Sequence, residues 1–161
     1  MSRLFSLPLI LLPGLLWAQL PAELESTRFS GPEITPSPAC LAAAPTGEVF
    51  VGVDMLGSLG KGPGKGKIIR LIDEDQDGVA DSHTEFAKID NPRGLIPVGN
   101  QLFVLHTVIP ESVGKLTGMH LSVFEDKDWD GVADGPYQIL VSDVSPPKHN
   151  QDRGDADPSV E

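Results

Sequence analysis

The sequence predicts an all-β protein: about two blades of an incomplete β-propeller, preceded by a signal peptide. Three observations predict it. The chain repeats itself at an offset of 53 residues, each repeat carries about four strand-like runs, and the mature chain has no helical periodicity. A period of that size with four strands per unit is the pattern of a propeller blade. The competing reading is a small β-sandwich with accidental self-similarity. Three separate motifs held in one register argue against it.

The first segment is MSRLFSLPLILLPGLLWA, residues 1–18. It has a basic start at Arg3, an apolar stretch from Leu4 to Trp17, and Ala18 where cleavage would fall, the layout of a secretory signal peptide. A retained membrane anchor is the alternative, but Pro8, Pro13 and Gly14 interrupt a run too short to span comfortably. Export to the periplasm or cell surface is therefore expected. Residues 19–34 read as a linker, residues 35–87 and 88–144 as the two repeats, and residues 145–161 as a polar, disordered tail.

Within the repeats, EVFVGV (Glu48–Val53) falls on QLFVLH (Gln101–His106), and LAAAPTG (41–47) on GLIPVGN (94–100), with no gap needed from Cys40 to Asp81. VFVGV and LFVLH are β-branched or aromatic runs of strand length, each preceded by turn residues. KIIRLI (67–72) and HLSVFE (120–125) partly alternate apolar and polar and lead into an acidic loop. HTEFAKI and PYQILVS, starting at His83 and Pro136, read as the outgoing strand of a hairpin. Two blades leave both outer faces bare, and repeats generally need at least three units for stability. The chain therefore reads as the beginning of a longer propeller, or as a unit that assembles with copies of itself.

Charge excludes some partners. The formal charge is −11, and removing residues 1–18 takes away Arg3, leaving 143 residues at −12. Nucleic acid and anionic lipid would repel such a chain. Cys40 is the only cysteine, so no intramolecular disulfide forms; in the apolar stretch ACLAAA it reads as a small buried hydrophobe. No CxxCH occurs, so the chain has no c-type haem site of its own. GKGPGKG (60–66) lacks the GxxxxGK[ST] pattern and a following helix, and reads as a flexible basic loop.

The acidic loops carry the chemistry. DEDQDGVAD places Asp73, Asp75, Asp77 and Asp81 at loop positions 1, 3, 5 and 9, with Gly78 at position 6. DKDWDGVAD places Asp126, Asp128, Asp130 and Asp134 likewise, with Gly131. Calcium takes six to eight hard oxygen ligands, and alternate acids on a tight loop can converge on one ion. The position-7 carbonyls of Val79 and Val132 would add a backbone ligand, and waters the rest. Position 12 is Thr84 or Tyr137 rather than a bidentate Glu, so these are not EF-hands. Weak affinity is expected, with a dissociation constant of about 10⁻⁴ to 10⁻³ M. The alternative is an Asp-rich hairpin whose acids cap turns and face water. Four clustered carboxylates without a cation repel one another, which favours the metal. Trp129 occupies the loop position of Gln76 and reads as a surface residue.

GKGPGKGKIIRLIDEDQDGVADSHTEFAKIDNPRGL, LFVLHTVIPESVGKLTGMHLSVFEDKDWDGVADGPYQILVSD and NQDRG together resemble the start of the exported membrane-bound dehydrogenases of planctomycetes and their relatives. That group is similar to the glucose/sorbosone dehydrogenases. The resemblance covers about residues 35–154 and ends at NQDRG; DADPSVE does not look like the family's continuation. It implies a quinoprotein propeller that holds pyrroloquinoline quinone, with a histidine base and with arginines and calcium at the cofactor. It also implies further blades and, in longer relatives, a cytochrome c domain. Those groups come from several blades, so this chain alone is expected to be inactive. His106 and Arg93 are the plausible contributors here, but neither sits in a matching motif, and no catalytic or cofactor-binding role is carried over to them. His106 reads as a packed or hydrogen-bonded strand residue; His83, His120 and His149 lack metal-ligand spacing. The reading from another class is a non-catalytic, calcium-dependent binding or scaffold module.

Overall fold

A computed structural model describes residue 24 and residues 26–55, 62–112 and 117–144. The expected signal peptide (1–18), the expected tail (145–161, with His149) and the first part of GKGPGKG lie outside the described residues. Among the described residues every regular element is a strand: β1 (Pro38–Ala43), β2 (Val49–Asp54), β3 (Gly66–Ile72), β4 (Ser82–Lys88), β5 (Pro92–Val98), β6 (Gln101–Val108), β7 (Gly118–Glu125) and β8 (Gln138–Val141). They form two four-stranded antiparallel sheets, ordered β1-β2-β3-β4 and β5-β6-β7-β8. Each sheet is a meander of neighbouring hairpins. Short β-branched runs separated by turn residues can close only such local pairings without crossover chain.

The two sheets match each other position by position except for a one-residue slip in β1 against β5 and another in β4 against β8, where Glu85 and Ile139, 54 apart, pair with the equivalent Ile69 and Ser122. β2 and β6 superpose at an offset of 53: Gly52 pairs with Cys40, and its counterpart Leu105 pairs with Gly94. Cys40 and Gly94 are 54 apart, so the continuous alignment expected through LAAAPTG slips by one residue. The reason is the hairpin. Five residues separate the paired Ala43 and Val49, but four separate Pro97 and Leu102. The second hairpin pairs further, to Val98 and Gln101, leaving a two-residue turn of Gly99 and Asn100, where the glycine has φ 59°. Both first strands carry a bulge at their start, between Pro38 and Cys40 and between Pro92 and Gly94. Both are preceded by a left-handed residue, Ser37 (φ 47°) and Asn91 (φ 45°), whose carbonyls accept from Asp54 and Thr107 respectively.

Strand alternation gives each sheet two faces. One face of the first sheet, with Phe50, Ile68 and Phe86, packs on the face of the second that carries Leu102, Val104 and Phe124. Phe86 sits between Phe50 and Phe124 in edge-to-face contacts, with ring centroids 5.2 and 6.2 Å away. β5 runs beside β1 and β2, completing this inter-sheet core with Leu95. Burial of each such side chain contributes about 1.5–3 kcal/mol, which makes this layer the main source of cohesion.

The other face of the first sheet, Val51, Val53, Ile69 and Leu71, is covered by chain that precedes β1: Phe29 and Ile34 pack against it. The other face of the second sheet carries Phe103, Leu105, Leu121 and Val123, flanked by Ile96, Val98 and Val141, which are 63%, 55% and 49% exposed. Among the described residues that face has no covering layer.

Candidate metal centre

Each acidic loop joins the third and fourth strands of its sheet, at the same corner. Both turn through two left-handed residues, Gln76 (φ 61°) and Gly78 (φ 87°) in the first loop, Trp129 (φ 62°) and Gly131 (φ 88°) in the second. Such angles favour glycine and are strained for Gln and Trp. The acids themselves hold the turn. In the first loop Asp73 accepts from the amides of Asp77 (3.2 Å) and Gly78 (3.0 Å), Asp75 from Asp77 (3.1 Å), and Asp77 from Val79 (2.8 Å). In the second, Asp126 accepts from Gly131 (2.9 Å), Asp128 from Asp130 (3.4 Å) and Asp130 from Val132 (2.8 Å). Asp81 and Asp134 close the loops from the far side, accepting from the amides of Glu74 (2.7 Å) and Lys127 (2.5 Å).

These bonds leave carboxylate oxygens facing one another. Asp73, Asp75 and Asp77 each offer an oxygen within 4.8 Å of the others, and so do Asp126, Asp128 and Asp130. Oxygens bound at about 2.4 Å to a common calcium are at most about 4.8 Å apart. Each triad could therefore hold one cation. The sequence positions 1, 3 and 5 are brought together, and position 9 acts as a clasp. Val79 and Val132 are exposed, with their amides taken by the preceding aspartate.

The two loops differ in surroundings. Asp126 is buried, and its Oδ1 has no hydrogen-bond partner, while Asp73 is half-buried. An unpartnered carboxylate oxygen under cover is costly unless a cation meets it. Gly131 lies against Arg70, whose Nη1 would be 2.5 Å from a Cβ there; Gly78 lies against Thr27, whose nearest atom would be 3.6 Å from a Cβ, an ordinary contact. The Arg70 guanidinium is itself ion-paired with Glu48, whose carboxyl is held below its ordinary value by Thr46 and Arg70 against an opposing push from burial.

Away from the loops, His106 is buried, with Nε2 2.9 Å from Ser122 Oγ and its ring edge-on to Tyr137. Burial drives its pKa down to about 4; nearby His120 adds to this, while a backbone bond to Thr107 and the charge of Asp90 oppose it. Its counterpart in the first sheet is Val53, and that of Ser122 is Ile69, both apolar and buried. The His106–Ser122 pair, with His120 beside it, thus puts polar groups where the first sheet has Val53 and Ile69, and no motif or spacing marks Ser122. Cys40 is half-buried with its thiol pushed up by burial, and Gly52 gives it room: a Cβ there would lie 2.6 Å from Sγ. Arg93 is half-buried at the β5 bulge, and its Nε has no hydrogen-bond partner.

Against known proteins, no family model, no curated protein and no solved structure matches this chain.

Proposed function

We propose that the two sheets are successive blades of an incomplete β-propeller in an exported protein, each carrying one weak calcium site at its third hairpin. The observation that supports this best is the recurrence of one triad geometry at the same corner of two sheets that repeat in register. The ligands are Asp73, Asp75 and Asp77 in one site and Asp126, Asp128 and Asp130 in the other. Bound calcium would offset most of each triad's negative charge and draw its loop together, and its role is structural. Asp81 and Asp134 orient the loop.

On the resemblance to glucose/sorbosone dehydrogenases, the chain is the N-terminal part of a quinoprotein-like propeller and is not catalytically competent alone. His106 is buried and bonded to Ser122, and it lines a cavity of about 330 Å³ together with Asp90, Thr107 and Tyr137. Remaining blades, or copies of the chain, would supply the missing walls of a quinone site. A second reading, a non-catalytic calcium-dependent binding module, is favoured by the open apolar face of the second sheet.

Equilibrium dialysis of the mature chain tests the calcium reading. Two equivalents should bind at about 10⁻⁴ to 10⁻³ M, and one each in Asp75→Ala and Asp128→Ala. Unchanged uptake in those variants, or none in the parent, overturns it. Pyrroloquinoline quinone added with calcium should not co-elute with the chain; sugar oxidation by this chain with quinone and an acceptor dye would contradict its incompetence alone.

A further inference from the structure

The chain before β1 occupies a position that the repeat assigns to a sheet. Ala133, in the second acidic loop, donates its amide to the carbonyl of Phe86 in β4 at 2.9 Å. Ala80, its counterpart 53 residues earlier, donates to the carbonyl of Phe29, also at 2.9 Å. Phe86 is the residue at the β4 bulge, skipped between the paired Ala87 and Glu85. Phe29 therefore does for the first sheet what the last strand of the first sheet does for the second. The strap of residues 27–35 imitates one edge of a preceding sheet, and Ile34 helps it cover the apolar face beneath.

The series has a third member. Leu140 is the residue skipped at the β8 bulge, between Val141 and Ile139, and it is 44% exposed. The open face beside it is the repeat counterpart of the face with which the first sheet packs on the second. Phe103, Leu105, Leu121 and Val123 stand where the first sheet has Phe50, Gly52, Ile68 and Arg70. This surface continues an interface already made once within the chain, and its complement is the face under the strap.

We propose that the open face of the second sheet docks a second copy of this chain, head to tail, on the first-sheet face that the strap of residues 27–35 covers. In that pair Leu140 of one copy replaces Phe29 against Ala80 of the next, and Val123 lies over Gly78, which has no side chain to obstruct it. The contact is heterologous, so it propagates to a ring or a filament. The strap is its competitor: tethered in the same chain, it acts at an effective concentration of about millimolar, which keeps the intact chain monomeric at micromolar concentration. The proposal rests on the repeat alone and needs neither calcium nor quinone.

Sedimentation velocity on the full chain carrying Phe29→Asp and Ile34→Asp tests it, in millimolar calcium. With the strap unseated, the folded chain should move from monomer to dimers and larger species at tens of micromolar. Adding Leu105→Asp on the open face should return it to monomer. A folded double variant that stays monomeric, or one whose association survives Leu105→Asp, overturns the proposal. Hydrogen exchange on the unaltered chain decides the matter if the double variant unfolds. Raising its concentration a hundredfold should expose amides of residues 27–35 and protect β8 together. Protection of β8 without loss at the strap would mean face-to-face pairing or another occupant, and overturns it, as does no change in either.

Discussion

The amide of Ala133 donates to the carbonyl of Phe86 at 2.9 Å, which fastens the second acidic loop to the last strand of the first sheet. Phe86 is also the ring at the centre of the inter-sheet core. The loop that offers a cation site is therefore part of the contact between sheets. Whatever orders that loop is read out in the stability of the whole fold.

Trp129 should report the second site alone. The sequence has two tryptophans, Trp17 and Trp129, and a chain begun at Gln19 keeps only Trp129, between Asp128 and Asp130 and 58% exposed. Calcium at the triad would fix the backbone on both sides of the indole. Its emission should change on titration with calcium and saturate with one site. Asp128→Ala should abolish the change, and Asp75→Ala, in the other loop, should leave it.

The loop glycines should not be equivalent. Gly78 and Gly131 share φ near 88°, so alanine at either costs about 1–2 kcal/mol of backbone strain. Only at position 131 does the new methyl meet an obstacle, the Arg70 guanidinium that Glu48 holds in place. Denaturant unfolding should show Gly131→Ala losing more than Gly78→Ala. Arg70→Ala should shrink that difference; equal losses would mean that Arg70 does not press on the loop.

Stability should fall in mild acid because of His106. Its pKa in the fold, about 4, lies below the ordinary value near 6.5, so the unfolded chain binds the extra proton between those pH values. The neutral ring's contribution is fully present above about pH 6.5 and is lost as pH falls toward 4, by about 3 kcal/mol in all. The double variant His106→Val with Ser122→Val copies the apolar layer of the first sheet and leaves no hydroxyl unpaired. Its unfolding free energy should lose one proton's worth of pH dependence over that window relative to the parent. Identical pH profiles would show that His106 is not held neutral.

Much of this was legible in the sequence. The repeat, the strand runs and the position of the acidic loops follow from local pattern, because β2 with β6, β3 with β7, and the two loops keep one offset. The slips to 54 in β1 and β5 and in β4 and β8 were not legible, since a change of one residue in a turn leaves the apolar pattern nearly unchanged. The role of Phe29 was hidden for a different reason. A single aromatic among Ser, Thr, Pro and Gly has no periodicity, and its value comes only from a face built 20 to 40 residues later. Within the loops, spacing alone could not tell that Asp81 and Asp134 spend an oxygen on a backbone amide. Nor could it tell that Asp126 is buried while Asp73 is half-exposed.

Thermal unfolding of the mature chain, in calcium at about ten times the dissociation constant and then in chelator, tests the two-site account most directly. Each occupied site adds about 1.4 kcal/mol at that excess, so the midpoint should rise by about 5–10 °C. Asp75→Ala and Asp128→Ala should each remove about half of the rise, and together all of it. A midpoint that is the same in calcium and chelator, in the parent as in the variants, would contradict the account.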